Sequence, residues 1–546
     1  MLKLIDVKFA YKAGGKGYAV TTTESVGNSR VSLDVYDDGE VFRASVKTKS
    51  EIEIMRLAAR FEYDFRETDR IFLNGYQSWT DSYEHSIYDT ERGIDHVPAP
   101  VNGRYAFNAY GDYDFVKYVR RKGRLHGFSY GYVKDSFGRF GFIGSLNESS
   151  GFTVIKTDTA KKTITIEKDC SGLHITDGYD GIAVYMGSGS ENEVFDRYFE
   201  LMSIPPTAEK PIFGYTSWYR HYQDICENYL LDDLEGIKAC GFKADVFQID
   251  DGYQTAVGDW LSIDMSKFPN GMKPIAERIA AEGMTPGLWL APFVCEQKSD
   301  MFTEHPDWLL KDENGAPVRA GCNWSNQYAL DIYNEEFRDY LCEVFRTVTE
   351  DWGFRLLKLD FLYAACILPR KDKTRGRIMA DGMDLLRELA GGAKILGCGV
   401  PMASAFGTVD FCRIGTDVTP EWDGQDYMKL FHRERPSTKY SILNSVFRRQ
   451  LSGRAFINDP DVFMLRDTDN SMSAKQRRTL AEINAMCGGV LFNSDNMGEY
   501  GDVQHEMFAD LMLLHGSKVL SAELDGSRLT IAAEKDGKNF IREYTV

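Results

Sequence analysis

Between residues 212 and 515, eight short apolar runs alternate with amphipathic stretches, and no other feature of this 546-residue chain restricts its fold as strongly. The runs lie at 212–218, 244–250, 286–292, 354–360, 393–398, 410–417, 455–459 and 490–493. Helical patterns follow most of them, at 225–239, 335–352, 375–390, 473–487 and 503–515. A strand buried on both faces reads as a continuous apolar run, and a parallel neighbour requires a crossover, usually a helix. Eight such units over roughly 300 residues predict a (β/α)8 barrel across 211–515.

The flanks have a different texture. Residues 1–205 carry little helical periodicity and read as an N-terminal antiparallel β-sandwich. Within them 153–169 alternates Ile and Thr with charge on both sides of a Lys-Lys turn, a hairpin pattern, and 128–133 and 139–143 read as further strands. The segment 203–211, SIPPTAEKP, holds three prolines in nine residues and marks the linker. The tail, 516–546, alternates again and predicts a short C-terminal β-sheet. The whole is a multidomain chain.

The formal charge is −18, from 64 basic and 82 acidic residues, which argues against nucleic acid or an anionic membrane as partner. A neutral small-molecule substrate fits better, and the aromatic share of 13% suits a sugar cleft. The start, MLKLIDVKFAYKAGG, lacks the apolar core of a signal peptide, and no apolar stretch is long enough to span a membrane. Ten cysteines without a CxxC pair are expected as free thiols in a cytoplasmic protein. Nine histidines form neither HxH nor HExxH, so no metal and no other cofactor is expected. Homo-oligomer formation is left open.

Acid collects where the strands end. The second run ends in Asp250-Asp251, followed by Asp259-Trp260; the fourth in Lys358-Leu-Asp360; the sixth in Arg413 and Asp417; the seventh in Asp459-Pro-Asp461. In a barrel these ends converge on one mouth, where active sites sit. Each has a plain alternative: a structural ion pair for Lys358 and Asp360, a turn for Asp250-Asp251, a helix cap or cation site at Asp459 and Asp461, core packing for each Trp. Their co-location favours chemistry. Two carboxylates flanking a bond are the minimal equipment of a glycosidase. Asp360, on the same face as Lys358, suits the nucleophile and Asp417 the proton donor. Arg413 is placed to hold a substrate hydroxyl, and Trp218, Trp260 and Trp289 offer apolar faces to a sugar ring.

The motifs FQIDDGYQ, GDWLSIDMSKFPNGMK, GLWLAPF, HPDW, LKLD and FINDPDVFMLR, in this order, resemble the melibiase-type α-galactosidases of glycoside hydrolase family 36, in clan D. They cover about 211–500, and NGYQSW at 74–79 resembles a motif of the family's N-terminal sandwich. The resemblance implies an exo-acting, retaining enzyme that removes terminal α-galactose from oligosaccharides or glycoconjugates by double displacement. It implies Asp360 as nucleophile and Asp417 as acid/base. It further implies Asp250 and Asp251 at the 4- and 6-hydroxyls, Lys358 near the 3- and 4-hydroxyls, Cys398 and Arg413 near position 2, Trp260 lining the pocket and Trp79 closing it. The chain departs from the family where KWD is KLD and where Cys398 is followed by Gly-Val-Pro-Met-Ala-Ser-Ala. Small residues at 403–405 leave room for an N-acetyl group, so an α-N-acetylgalactosaminidase or an α-galactosyl transferase is the nearest alternative, and a non-catalytic sugar-binding relative the alternative from another class. Asp410 and Asp423 stand as alternatives to Asp417.

Overall fold

The computed structural model describes residues 2–424 and 432–546. Its N-terminal part holds two antiparallel sheets. One runs, in spatial order, Lys16–Thr22, Lys3–Ala13, Ile52–Glu62, Thr163–Lys168, Thr153–Asp158 and His126–Phe128, with Leu173–Ile175 also on Ile52–Glu62. The other runs Val26–Gly27, Val31–Asp37, Val41–Thr48, Gly178–Gly189, Phe140–Ser145, Tyr130–Lys134, Arg70–Leu73 and His85–Ser86. Alternation buries one face of each strand, as at Phe42, Ala44 and Val46. Phe9, Ile54, Phe61 and Ile166 of one sheet and Phe42 and Val184 of the other share a single core. The expected hairpin over 153–169 is present, with Asp158 opposite Thr163. Between the Arg70–Leu73 and His126–Phe128 strands the chain makes a long, mostly irregular excursion that the alternation pattern did not foretell.

A nine-membered parallel sheet follows: Ile457–Asp459, Phe411–Arg413, Lys394–Gly397, Leu356–Leu359, Thr285–Leu290, Val246–Ile249, Ile212–Thr216, Val490–Asn493 and Val462–Phe463. Each of the eight apolar runs supplies a strand, and consecutive runs lie side by side up to the seventh. The two end members are separated in the chain only by Pro460 and Asp461. Pro460 has no N–H to give to a ladder. Helices Glu227–Lys238, Arg375–Ala390, Ala474–Cys487 and Asp502–Leu514 stand where periodicity placed them. Ser473 caps the third through a capping box with Gln476.

One strand is shorter than expected. The run 410–417 forms a strand only over Phe411–Arg413. Ile414 still gives its N–H to the Asp459 carbonyl, but a Cβ at Gly415 would come within 3.3 Å of Asn444 and Ser441. The backbone there is pressed onto the Thr438–Phe447 helix and leaves the ladder, so Thr416 and Asp417 lie on a loop.

The last three strands, Lys518–Asp525, Arg528–Lys535 and Lys538–Thr545, form an antiparallel sheet that buries Ala522, Leu529, Ile531 and Ala533. A polar seam joins the irregular excursion to the parallel sheet. Arg448, wholly buried, donates to the Asn74 side chain and to the carbonyls of Gln77, Ser78 and Ile414. Thr80 donates to Glu434, and the Ser82 N–H to Asn444. Among the described residues no helix is long and apolar enough to cross a membrane.

Candidate active site

The carboxyl ends of the parallel strands bring the acidic residues together. Asp360 follows the Leu356–Leu359 strand, is 8% exposed, and accepts from Trp289 Nε1 at 3.1 Å and from the Phe361 N–H at 2.8 Å. That short bond belongs to a sharp turn in which Phe361 takes φ +54°, a left-handed conformation unusual for an aromatic residue. Asp250 follows the Val246–Ile249 strand; its Oδ2 accepts from Lys358 Nζ at 2.8 Å and from Gln248. Lys358 is thus paired with Asp250 in preference to the nearer-in-sequence Asp360. Burial pulls the Lys358 ammonium toward neutrality, but Asp250 above all, with Asp360, raises its proton affinity overall, so it stays a cation.

Asp251 accepts from Gln254 at 2.6 Å, from Gln223 at 2.8 Å and from Trp324 Nε1 at 2.8 Å. Burial, with Asp250 beside it, pushes its proton affinity up against those three donors. An ionised carboxylate offers about four acceptor positions, so Asp250 and Asp251 can each take very few hydroxyls more.

Arg413 ends the short sixth strand and reaches Asp417 Oδ1 with Nη1 at 2.7 Å. The loop at 414–417 keeps this pair together although the strand has stopped. Asp417 is the open carboxyl of the group, with 39% of its side chain exposed. The surrounding protein and the Asp360 charge raise its proton affinity, and Arg413 opposes them. Of the alternatives, Asp410 lies at the amino end of the strand, bound to Arg387 and Lys394, and Asp423 is held by Arg435 and Ser437. Cys398 ends the neighbouring strand, buried near Asp360, Lys358 and Arg413; burial first, then Asp360, drives its thiol well up, so it is neutral.

Aromatic rings wall the group. Trp260 meets Trp289 edge-on at 5.7 Å, Trp289 meets Trp324 at 6.1 Å, and Trp324 meets Phe361 at 5.2 Å. Trp79, from the N-terminal excursion, stands edge-on to Phe361 at 5.0 Å. Gly399 makes this approach possible: at φ +57° a Cβ would lie 3.1 Å from both the Phe361 backbone and the Trp79 ring. The indole N–H groups of Trp79 and Trp260 are buried without a protein acceptor. Trp218 lies farther out, half-buried and edge-on to the exposed Tyr222.

Asp250, Asp251, Lys358, Asp360, Cys398, Arg413 and Asp417 therefore share one region; Trp289 donates to Asp360, the wholly buried Trp260 packs against Trp289, Trp79 packs against Phe361, and Trp218 packs against Tyr222. Sequence reasoning missed Trp324, Gln223, Gln254 and the grip of Asp459 and Asp461 on Arg413. It also treated the Leu359 of KLD as the loss of an aromatic; Phe361, one residue beyond Asp360, stands in that wall. A Trp within the polar loop GCNWSNQ was the one available signal for Trp324. All ten cysteines are free.

The Melibiase family model matches residues 197–372. An α-galactosidase from Escherichia coli is 27% identical over 255 residues, 44% of this chain and 32% of its own. The A type blood α-D-galactosamine galactosaminidase of Flavonifractor plautii is 26% identical over 219 residues, 38% of this chain and 19% of its own. The chain thus spans about a seventh to a third of the length of the curated relatives it matches. A solved structure of TtGalA, an α-galactosidase from Thermus thermophilus in complex with p-nitrophenyl α-D-galactopyranoside, superposes with a TM-score of 0.73 at 27% identity, covering 99% of this chain and 98% of that one. Family match, curated relatives and solved structure agree with the motifs: the chain is related to the melibiase-type α-galactosidases.

Proposed function

We propose that this chain is an exo-acting, retaining α-galactosidase with Asp360 as nucleophile and Asp417 as acid/base. The observation that carries the reading is the convergence, at one set of strand ends, of the Asp360 carboxylate, the Lys358-bound Asp250 with its neighbour Asp251, and Asp417 on Arg413. An oxygen of Asp360 attacks the anomeric carbon, and the leaving oxygen takes the proton of Asp417. Water then attacks the galactosyl ester from the other side while Asp417 takes back a proton. Esterification removes the Asp360 charge, one of the causes that raise Asp417, so the same carboxyl loses affinity for its proton when it must act as base.

Asp250 and Asp251 accept from the axial 4-hydroxyl and the 6-hydroxyl. An epimer leaves a buried carboxylate position unfilled, which costs more than a lost contact. Lys358 donates toward the 3- and 4-hydroxyls, and Cys398 and Arg413 flank position 2. Trp218 with Tyr222 borders the leaving group. Trapping with a 2-deoxy-2-fluoro-α-galactosyl fluoride, followed by peptide mass spectrometry, tests the reading. The label is expected on Asp360; a label elsewhere, or none with product released in inverted configuration, overturns it.

The parallel sheet is read as a closed eight-stranded (β/α)8 barrel. The support is that its two end members are consecutive in the chain, so that Pro460 and Asp461 interrupt one strand. Accordingly 1–205 is assigned as an N-terminal β-sandwich, 211–515 as the catalytic barrel and 516–546 as a small C-terminal β domain. Free thiols throughout fit a cytoplasmic location. The substrate is a small oligosaccharide or glycoconjugate end.

A second reading, an α-N-acetylgalactosaminidase, is favoured by the small residues Ala403, Ser404 and Ala405 following Cys398; the Flavonifractor plautii relative, named for α-D-galactosamine, is likewise named for a sugar with nitrogen at position 2. Parallel assay of the 4-nitrophenyl α-galactoside and its N-acetylgalactosaminide separates the two.

A further inference from the structure

Arg413 faces three carboxylates, not one. Nη1 is 2.7 Å from Asp417, Nε 3.2 Å from Asp459 and Nη2 2.8 Å from Asp461. Three carboxyls around one cation cannot all ionise cheaply in a largely buried place, so protons are held there. Asp461 is the most constrained member. It follows Pro460, takes φ +77°, and its side chain is 0% exposed. A non-glycine residue held in that region is a strained feature of the kind that clusters at functional sites.

Its contacts lead to Asp417 by two routes. Asp461 Oδ1 faces the guanidinium that holds the Asp417 carboxyl. Asp461 Oδ2 accepts from the N–H of Val418, the residue after Asp417, at 2.8 Å, and from the Tyr219 hydroxyl at 2.5 Å. The side chain therefore lies against the charge of Asp417's partner and hydrogen-bonds the peptide that carries Asp417, while being too buried to meet substrate.

We propose that Asp461 is the positioning residue of the acid/base: through Arg413 and the Val418 amide it orients the Asp417 carboxyl, and its negative charge keeps the proton there. This rests on the reading of Asp417 as acid/base given above. A neighbouring anion disfavours ionisation of a carboxyl. By engaging one edge of Arg413 it also weakens the guanidinium's hold on Asp417, and the two effects have the same sign. The groups facing Asp461 are Arg413 and Asp417 from the sixth run, Asp459 before it and Tyr219 from the segment after the first strand. Those acting on Asp417 further include Asp360, Lys358 and Asp250. Burial, resisted by Arg413 and reinforced by Asp417 and Asp459, pushes the proton affinity of Asp461 up to about 7. Its charge is thus developed on the alkaline side, where loss of the Asp417 proton ends activity.

The test uses the full chain with Asp461→Asn and Tyr219→Phe. In Asp461→Asn the alkaline limb of kcat/KM on an α-1,6-galactosyl disaccharide is expected to move down by about one pH unit. Tyr219→Phe removes only the hydroxyl that stabilises the Asp461 anion, and is expected to move the limb the same way by less. A difference-infrared titration of the Asp417 carboxyl, assigned against Asp417→Asn, reads the same shift without substrate. Absence of turnover in the unaltered protein counts against the proposed function; an unmoved titration counts against this inference. A uniform fall in kcat at every pH, with limb and titration unmoved in both variants, reduces Asp461 to a structural residue and overturns the proposal.

Discussion

Lys358 Nζ lies 2.8 Å from Asp250 Oδ2, an ion pair that bridges the strand lying between theirs. Both side chains are buried, at 8% and 3% exposure, so neither charge has water to fall back on. The pair ties the candidate hydroxyl-binding carboxylate to the strand that carries Asp360.

Lys358→Met should therefore damage both folding and turnover. A buried carboxylate stripped of its partner costs about 3–5 kcal/mol. The double variant with Asp250→Asn should recover most of that stability, measured by denaturant unfolding, and none of the activity. Recovery of activity in the double variant would show that the pair is structural only.

The two catalytic assignments separate by chemical rescue. Asp360→Gly should abolish turnover, and azide should yield the β-galactosyl azide. Asp417→Ala should lose most activity on natural galactosides, keep more on activated aryl galactosides, and yield the α-azide. Proton NMR of the azide product reads the anomer in each case. Wild-type rates for Asp417→Ala on natural substrates would send the search to the other acids near Arg413.

Trp324 should matter through one nitrogen. Its Nε1 donates to Asp251, and the residue sits at φ +53° to do so. Trp324→Phe keeps a ring against Trp289 and Phe361 but loses a bond to a charged group, worth about 1.5–3 kcal/mol. The expected loss in kcat/KM is about 10–100-fold, and smaller for a 6-deoxy galactoside. Equal loss on both substrates would detach Trp324 from the 6-hydroxyl.

Stability should depend on pH through His126. Its ring lies 2.7 Å from both Glu91 and Asp112. Burial alone would lower its proton affinity, but Glu91 and Asp112 raise it to about 9. A group raised from about 6.5 stabilises the fold fully below that pH, and the contribution disappears as pH rises through 9. The melting temperature should thus decline between pH 6.5 and 9, and His126→Gln should flatten the decline. An unchanged slope would locate the dependence elsewhere.

The strands were legible because a parallel strand buried on both faces is mostly apolar, as in Val490–Asn493, where only the last residue is polar, and Leu356–Leu359, where Lys358 is the one exception. Acids that end such runs stand out for the same reason, as Asp250, Asp360 and Asp417 do. The partner of Lys358 was not legible, because the choice between Asp250 and Asp360 depends on which strand lies across the sheet. Trp324 and Gln223 reach Asp251 from loops whose paths no periodicity encodes. The early end of the sixth strand followed from contact of Gly415 with a helix some 25 residues later, again outside local pattern. Asp461 is legible as one of the acids at the strand ends, but not its grip on Arg413, because Pro460 hides the strand continuity that places it there.

The buried seam of Arg448 with 74–78, and of Thr80 and Ser82 with Glu434 and Asn444, bears on modularity. The proline-rich linker suggests two interchangeable cassettes, yet Trp79, riding on that seam, stands edge-on to Phe361, the residue after Asp360. A chimaera that imports the parallel-sheet half from a relative would lose that contact unless residues 74–82 and their acceptors travel with it. The unit that can be exchanged is defined by the seam and not by the linker.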